Sequence, residues 1–375
     1  MQRVIPKLLT WYAENYRKLP WRETKNPYFI WISEIILQQT RVDQGMQYYF
    51  DFIDKYPKIN DLASAPEDDV LKTWQGLGYY ARARNLHKAA KWVCDVHNGQ
   101  FPTAFESILE LPGVGDYTAS AIASFAFNLP HAAVDGNVKR VSSRFWGMEL
   151  PIDSNAFLKQ SKALLSEVIP TDQPGNFNQA MIELGATVCK PTQPDCENCP
   201  LQSECAAFLQ KKTHLLPISA TKTKVKNLRL DYFFFDKQGD SLLYQRPSQG
   251  IWGGLFEFPV LQGLDGLSSN DKAMVYSKLE QLFRDRNYTW TCQEFEHKLS
   301  HRLISAVFWH VKLPVSDSLS VLENYQDFFE GITLILNLLN IHEAGLTSPE
   351  KLKITNIHEI NQFPLHKLLL KFVNS

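Results

Sequence analysis

Four of the six cysteines in this chain fall within seventeen residues, spaced Cys189-x6-Cys196-x2-Cys199-x5-Cys205. Thiols gathered this tightly in an intracellular chain argue for metal ligation over disulfide bridging. The chain around residues 189–205 must then fold so that four sulfurs face one centre. Residue chemistry alone leaves the metal open: four thiolates suit Zn2+ as well as an iron-sulfur cluster, and isolated four-cysteine clusters are more often zinc sites. Cys94 and Cys292 stand apart and read as ordinary buried residues.

A chain of 375 residues exceeds what one hydrophobic core usually serves, so two domains are expected. Up to about residue 210 the sequence reads as helices punctuated by Gly and Pro, with helical spacing over 28–38, 79–97 and 103–110. A polar run, Thr221 to Lys226, reads as a linker. From Leu228 short aromatic and β-branched runs follow (LRLDYFFFD, DSLLYQRP, GIWGGLFEFPV, ISAVFWHVKLPV), with a helical stretch near 272–285. The expected boundaries are 1–214, a linker 215–227, a second domain 228–345, and a partly helical tail 346–375. No apolar stretch reaches the ~20 residues a membrane span needs, and Met1 to Arg17 has no apolar signal core, so the protein is expected to stay inside the cell.

The net charge of −1 lacks the basic excess usual in nucleic-acid binders. Of 39 Lys+Arg and 40 Asp+Glu, residues 1–230 hold 26 and 23, leaving 13 and 17 for the remainder. The front part is the better candidate for phosphate contact, and a surplus this small is equally what a solvated surface carries.

Leu111-Pro112-Gly113-Val114-Gly115 sits between two helical stretches, as a helix-hairpin-helix requires. Gly113 and Gly115 permit a tight turn and close approach, and the helix that follows would direct free N–H groups at a DNA phosphate. By itself LPGVG serves equally as a connector. Downstream, Val134-Asp135-Gly136-Asn137 places an acid where a helix begins; a lone Asp there is most often a helix cap.

Hairpin, trailing Asp135 and four-cysteine loop together resemble the helix-hairpin-helix DNA glycosylase superfamily, over nearly all of residues 1–210. The 6-2-5 spacing is similar to the 4Fe-4S loop of endonuclease III and its relatives. Within the superfamily the chain resembles the MutY branch, through Leu19-Pro20-Trp21-Arg22, Ser33-Glu34-Ile35-Ile36-Leu37-Gln38-Gln39-Thr40 and Gly76-Leu77-Gly78-Tyr79-Tyr80. Where bifunctional relatives carry a Schiff-base lysine, this chain has Tyr117, and without an amine an imine pathway is closed.

The resemblance implies a multidomain protein: an all-α helix-hairpin-helix glycosylase domain with one 4Fe-4S cluster on Cys189, Cys196, Cys199 and Cys205, followed by an α+β Nudix-like domain. It implies a monomeric, monofunctional enzyme that removes adenine mispaired with 8-oxoguanine in duplex DNA. Glu34 would be the acid that protonates the base, Asp135 the carboxylate beside the developing sugar cation, and Tyr117 and Asn137 their supports. Gln39 and Tyr79 would serve the gap and the opposite base, and Leu19, Trp21, Arg22 and Gln179 would surround the extruded adenine. For Trp21 and Tyr79 core packing is the competing assignment. Arg82, Arg84 and Lys88 read as an exposed helix face.

Residues 228–345 resemble the Nudix fold through Gln245-Arg246-Pro247 and Gly250 to Pro259, without the acid-rich helix that holds Mg2+ in Nudix hydrolases. The resemblance implies a reader of the oxidised guanine. Leu299-Ser300-His301 stands where the family has Phe-Ser-His, so Ser300 and His301 keep the polar part of that contact. Two competing readings remain, an endonuclease III-like oxidised-pyrimidine glycosylase with lyase activity and a non-catalytic, zinc-stabilised DNA-binding protein.

Overall fold

The computed structural model describes residues 1–219, 225–299, 301–315, 320–339, 341, 344–347 and 352–375. They form two compact units, Met1–Pro66 with Arg82–Lys222, and Glu67–Ala81 with Thr223–Ser375. No described helix is long and apolar enough to cross a membrane.

In the first unit the main helices are α1 (Ile5–Asn15), α2 (Pro27–Ile36), α3 (Val42–Lys55), α4 (Ile59–Ser64), α6 (Ala81–His97), α7 (Phe105–Leu109), α8 (Asp116–Phe127), α9 (Gly136–Trp146), α10 (Asn155–Ser166), α11 (Pro174–Thr187) and α12 (Ala206–Leu209). Helix α5 (Glu67–Thr73) falls in the second unit. Helix α2 starts where Asn26 accepts from the Tyr28 N–H at 2.9 Å and Pro27 presets the first turn. It then buries every residue from Ile30 to Ile36, which makes it a central helix with no solvent face. Around α1, α9 and α11 a second cluster closes through Leu8, Val138, Val141, Phe145, Phe177 and Leu184. Helices α9 and α11 approach closely because residue 185 is glycine: a Cβ there would lie 2.6 Å from Asn137 Cβ.

Several expectations are corrected. The helix expected over 79–97 begins at Ala81, because Gly76, Gly78 and Tyr79 all adopt positive φ and break the helical path. Residues 215–218, expected in the linker, are tied to the first unit: the Leu216 carbonyl accepts from Arg144 Nε at 2.8 Å and the Ile218 carbonyl from the Ile152 N–H at 2.9 Å. The linker residues 220–224 lie outside the described residues.

The second unit has a five-stranded sheet built from β1 (Lys226–Asp236), β4 (Val260–Gln262), β5 (Thr289–Leu299), β6 (Arg302–Lys312) and β7 (Gly345–Leu346), in the order β5-β6-β1-β4-β7. A three-stranded sheet contains β2 (Asp240–Gln245), β3 (Phe256–Glu257) and β8 (Leu352–Asn356), ordered β3-β2-β8. Strand β1 runs parallel to β6 from Lys226–Arg302 to Asp236–Lys312 and is buried from Leu230 to Phe235, an aromatic-rich run whose one acid, Asp231, accepts from Trp309 Nε1 at 3.2 Å and the Tyr276 hydroxyl at 3.2 Å. Helices α13 (Ser269–Asp285) and α14 (Val321–Leu338) share its core through Leu279, Phe283, Phe328 and Ile332. Strand β5 and helix α14 have no counterpart among the expected elements. Most of β5 is exposed, including Cys292, which corrects its expected burial; Cys94 is only partly buried.

The stretch expected as a tail completes this unit. Strand β8 pairs with β2, His366 is fully buried, and Phe372 of α15 (Lys367–Val373) stacks on Phe308 at 4.4 Å. Glu67–Ala81 joins the same unit: Gln75 Oε1 accepts from the Leu365 N–H at 3.2 Å, and Lys72 donates to the Asn361 carbonyl.

Candidate active site

Glu34 lies on α2, 8% exposed among isoleucines. Burial pushes its carboxyl up to about 7; a hydrogen bond from Tyr117 opposes this, the Asp135 charge adds to it, and Arg22 pulls it down. Asp135 caps α9, with Oδ1 accepting from the Val138 N–H at 2.7 Å and Oδ2 from Asn137 Nδ2 at 2.8 Å. Burial raises its pKa as well, held back by those hydrogen bonds, the Asn137 N–H and the Arg140 charge. Tyr117, at the start of α8, bonds Glu34 and feels both carboxylates, which with burial drive its phenol well above the ordinary range. Thus α2, the α8 N-terminus and the α9 cap bring Glu34, Tyr117, Asp135 and Asn137 into one site.

Helix α9 carries this site toward the cysteine loop. Arg140 Nη2 donates to Asn137 Oδ1 at 2.9 Å and to the Gly185 carbonyl at 2.7 Å, while its Nε reaches the Cys189 carbonyl at 2.8 Å. One turn on, Arg144 donates to Cys189 Sγ at 3.4 Å, the Lys190 carbonyl at 2.7 Å and the Pro191 carbonyl at 3.0 Å.

The four cysteines are free and partly buried. Their sulfurs lie near enough for Cys189, Cys196 and Cys205 each to act electrostatically on Cys199, which burial pushes up to about 12. Four thiols in one irregular loop, with a guanidinium donating to one of them, fit a thiolate-bound centre. Among the described residues no three His, Cys, Asp or Glu side chains converge as a single-ion site.

Of the other expected residues, Arg22 lies near enough to act on Glu34 and Tyr117. Leu19 and Trp21 are buried, and Trp21 packs edge-on against Tyr49 at 5.1 Å. Arg22 Nη2 donates to Glu183 Oε2 at 2.7 Å, and Gln179 Oε1 accepts from the Tyr12 hydroxyl at 2.5 Å. Gln39 is exposed at φ 58° just beyond α2, and Tyr79 is 46% exposed in the second unit. Gly113 adopts φ +78°, which favours glycine; Gly115 caps α8 in extended backbone. Asp116 in that first helical turn pairs with Lys162. His301 is exposed between β5 and β6, and Ser300 lies outside the described residues.

The basic face expected from Arg82, Arg84 and Lys88 on α6 is corrected: of these three, Lys88 is exposed and the arginines are not. Arg84 is buried, and Arg82 Nη1 caps α2 by donating to the carbonyls of Ile35 and Ile36 at 2.9 Å and Gln38 at 2.5 Å. Arg17, Tyr12 and Glu183 were not among the expected residues. The only signal for Glu183 is an acid between Ile182 and Leu184, which names no partner.

Residues 32–165 match the family described as HhH-GPD superfamily base excision DNA repair protein, and residues 232–375 match the NUDIX domain. The adenine DNA glycosylase of Buchnera aphidicola subsp. Baizongia pistaciae (strain Bp) is 36% identical over 359 residues, covering 94% of this chain and 96% of its own length. That of Homo sapiens is 42% identical over 209 residues, 53% of this chain and 38% of the human protein. A solved structure of a thermostable thymine-DNA glycosylase superposes with a TM-score of 0.50 and 30% identity, covering 55% of this chain and 95% of the other. With near full-length likeness to a named relative, and helical and Nudix parts in the order its sequence implies, this chain belongs to the adenine DNA glycosylase family.

Proposed function

We propose that the protein excises adenine mispaired with 8-oxoguanine in duplex DNA by base flipping and acid catalysis. The observation that carries this reading is Glu34, a buried carboxyl pushed up to about 7 and bonded to Tyr117 beside Asp135. Adenine leaves poorly unless protonated, and a carboxyl still protonated near neutral pH can supply that proton. Asp135, anchored by Val138 and Asn137, is the second carboxylate and faces the cationic sugar as it forms. Tyr117 orients Glu34, Asn137 orients Asp135, and Glu34, once ionised, can accept a proton from attacking water.

Gly113, Gly115 and the start of α8 would hold a backbone phosphate without reading sequence. Leu19, Trp21, Arg22 and Gln179 would line the adenine pocket, while Gln39, Tyr79, Ser300 and His301 would serve the gap and the opposite base. Cys189, Cys196, Cys199 and Cys205 would hold one 4Fe-4S cluster, a reading supported by the 6-2-5 spacing and family membership. When bound, the cluster supplies a structural closure of the loop. The chain's own contribution is Arg140, which joins that loop to Asn137 and so to Asp135.

The test is a glycosylase assay with adenine opposite 8-oxoguanine, guanine and thymine. Release is expected to be fastest opposite 8-oxoguanine, without strand cleavage. No adenine release, or a borohydride-trapped adduct with oxidised pyrimidine substrates, would overturn the reading. Because Glu34 is protonated below about 7, single-turnover release should decline as pH rises through that value.

A further inference from the structure

Arg22, proposed to face the adenine, is held by a carboxylate to which the reaction gives no other task. Glu183 on α11 has a fully buried side chain. Its Oε1 accepts from the Arg17 backbone N–H at 3.1 Å and Arg17 Nε at 2.7 Å; its Oε2 accepts from Arg17 Nη2 at 2.8 Å and Arg22 Nη2 at 2.7 Å. Arg22 Nη1 in turn donates to the Arg17 carbonyl at 3.1 Å, and its guanidinium lies 5.8 Å from the Tyr12 ring centre. Burial alone would raise the Glu183 carboxyl, but the two guanidiniums bring it down to about 2, so it stays an anion.

We propose that Glu183 is a positioning residue for base excision: its buried carboxylate, shared with Arg17, fixes Arg22 in one place and cancels part of the positive charge that Arg22 would otherwise direct at Glu34 and Tyr117. The inference rests on Glu34 being the acid. The groups acting on Glu34 are Tyr117 from α8, Asp135 from the α9 cap and Arg22 from the turn before α2. Behind Arg22 stand Arg17, Glu183 of α11 and Tyr12 of α1, with Glu23 and Asp43 acting on Tyr12 and Arg17 respectively; Arg140 acts on Asp135. Arg22 opposes protonation of Glu34. Without the Glu183 anion Arg22 would oppose it more, and the acid would be lost at lower pH; without Arg17, which shares the anion, Arg22 would oppose it less.

Single-turnover adenine release by the full chain is measured between about pH 5 and about pH 9, a range that spans the Glu34 transition. In Glu183→Gln the basic limb should move down by about one pH unit, so that release falls about tenfold near pH 8 but stays within about threefold of wild type near pH 5.5. Arg17→Met, at a side chain 42% exposed, should move the limb the other way. The double variant Glu183→Gln/Arg17→Met removes one charge of each sign and should return the limb toward wild type. A merely structural Glu183 would lower release by the same factor at every pH with no recovery in the double variant, and that outcome overturns the inference. If Glu183→Gln fails to fold, as circular dichroism would show, the Arg17→Met arm decides: an unmoved limb overturns the inference. A wild type that releases no adenine sinks the glycosylase reading itself, whereas wild-type release with unmoved limbs sinks only the role of Glu183.

Discussion

Glu34 in the helical unit and Glu257 in the sheet unit are both buried glutamates, and their surroundings differ in kind. Glu257, fully buried, accepts from Arg246 Nη1 at 2.5 Å and the Tyr232 hydroxyl at 2.9 Å, with His366 Nε2 at 3.2 Å. Glu34 accepts a hydrogen bond from Tyr117 and has a second carboxylate, Asp135, acting against its ionisation. The contrast teaches that burial alone assigns no role. Glu257, ringed by donors, cross-links its own fold, whereas Glu34, set against a second carboxylate, is suited to hold a proton near neutral pH.

The comparison breaks first at the chemistry. Asp135→Asn should slow adenine release by about 10³-fold or more while duplex binding persists, in the upper range for loss of a charged catalytic group. Single-turnover kinetics and a mobility-shift titration measure the two sides, and retained turnover would remove Asp135 from the mechanism. Next in size, Glu257→Ala should lower stability by about 3 to 5 kcal/mol in denaturant unfolding, because Arg246 and His366 are left buried without their anion. A neutral result would make that cluster ornamental to the fold.

Glu34→Gln should do the opposite. A carboxyl whose folded pKa lies above its unfolded value loses stability as pH rises from about 4.5 to about 7, since the native state then binds more protons than the unfolded chain. The Gln variant should therefore be more stable than wild type at about pH 8, by up to about 3 kcal/mol, and nearly equal at about pH 4. Equal melting temperatures across that range would mean that Glu34 is not held protonated. The smallest effect concerns the reader: Ser300→Ala with His301→Ala should reduce the preference for 8-oxoguanine over guanine about tenfold, roughly the worth of one or two lost hydrogen bonds. An unchanged ratio would place recognition elsewhere.

Much of this was legible before any coordinates. The cysteine spacing, the helical front, the aromatic strands and the run Val134 to Asn137 are local patterns, and local patterns survive as sequence signals. Asp135 illustrates the limit: a lone Asp there reads as a helix cap, and it is one, bonded to Val138, yet its nearness to Glu34, which no local pattern shows, is what supports the further use proposed for it. Tyr117 was visible as a missing lysine. The exposed face expected from Arg82, Arg84 and Lys88 fails because charge does not by itself mean solvent: Arg82 reaches 47 residues back to the Ile35 carbonyl.

By itself the sequence determined which chemical groups this protein owns and which short segments carry them, because propensity, capping and ligand spacing act over a few residues. Only the tertiary structure decided which carboxylate faces a second carboxylate and which is ringed by donors. It alone joined Glu67–Ala81 to the C-terminal unit and matched Glu183 with an arginine 166 residues away. Burial and charge pairing arise between segments remote in the chain, and a pKa belongs to that assembled surrounding.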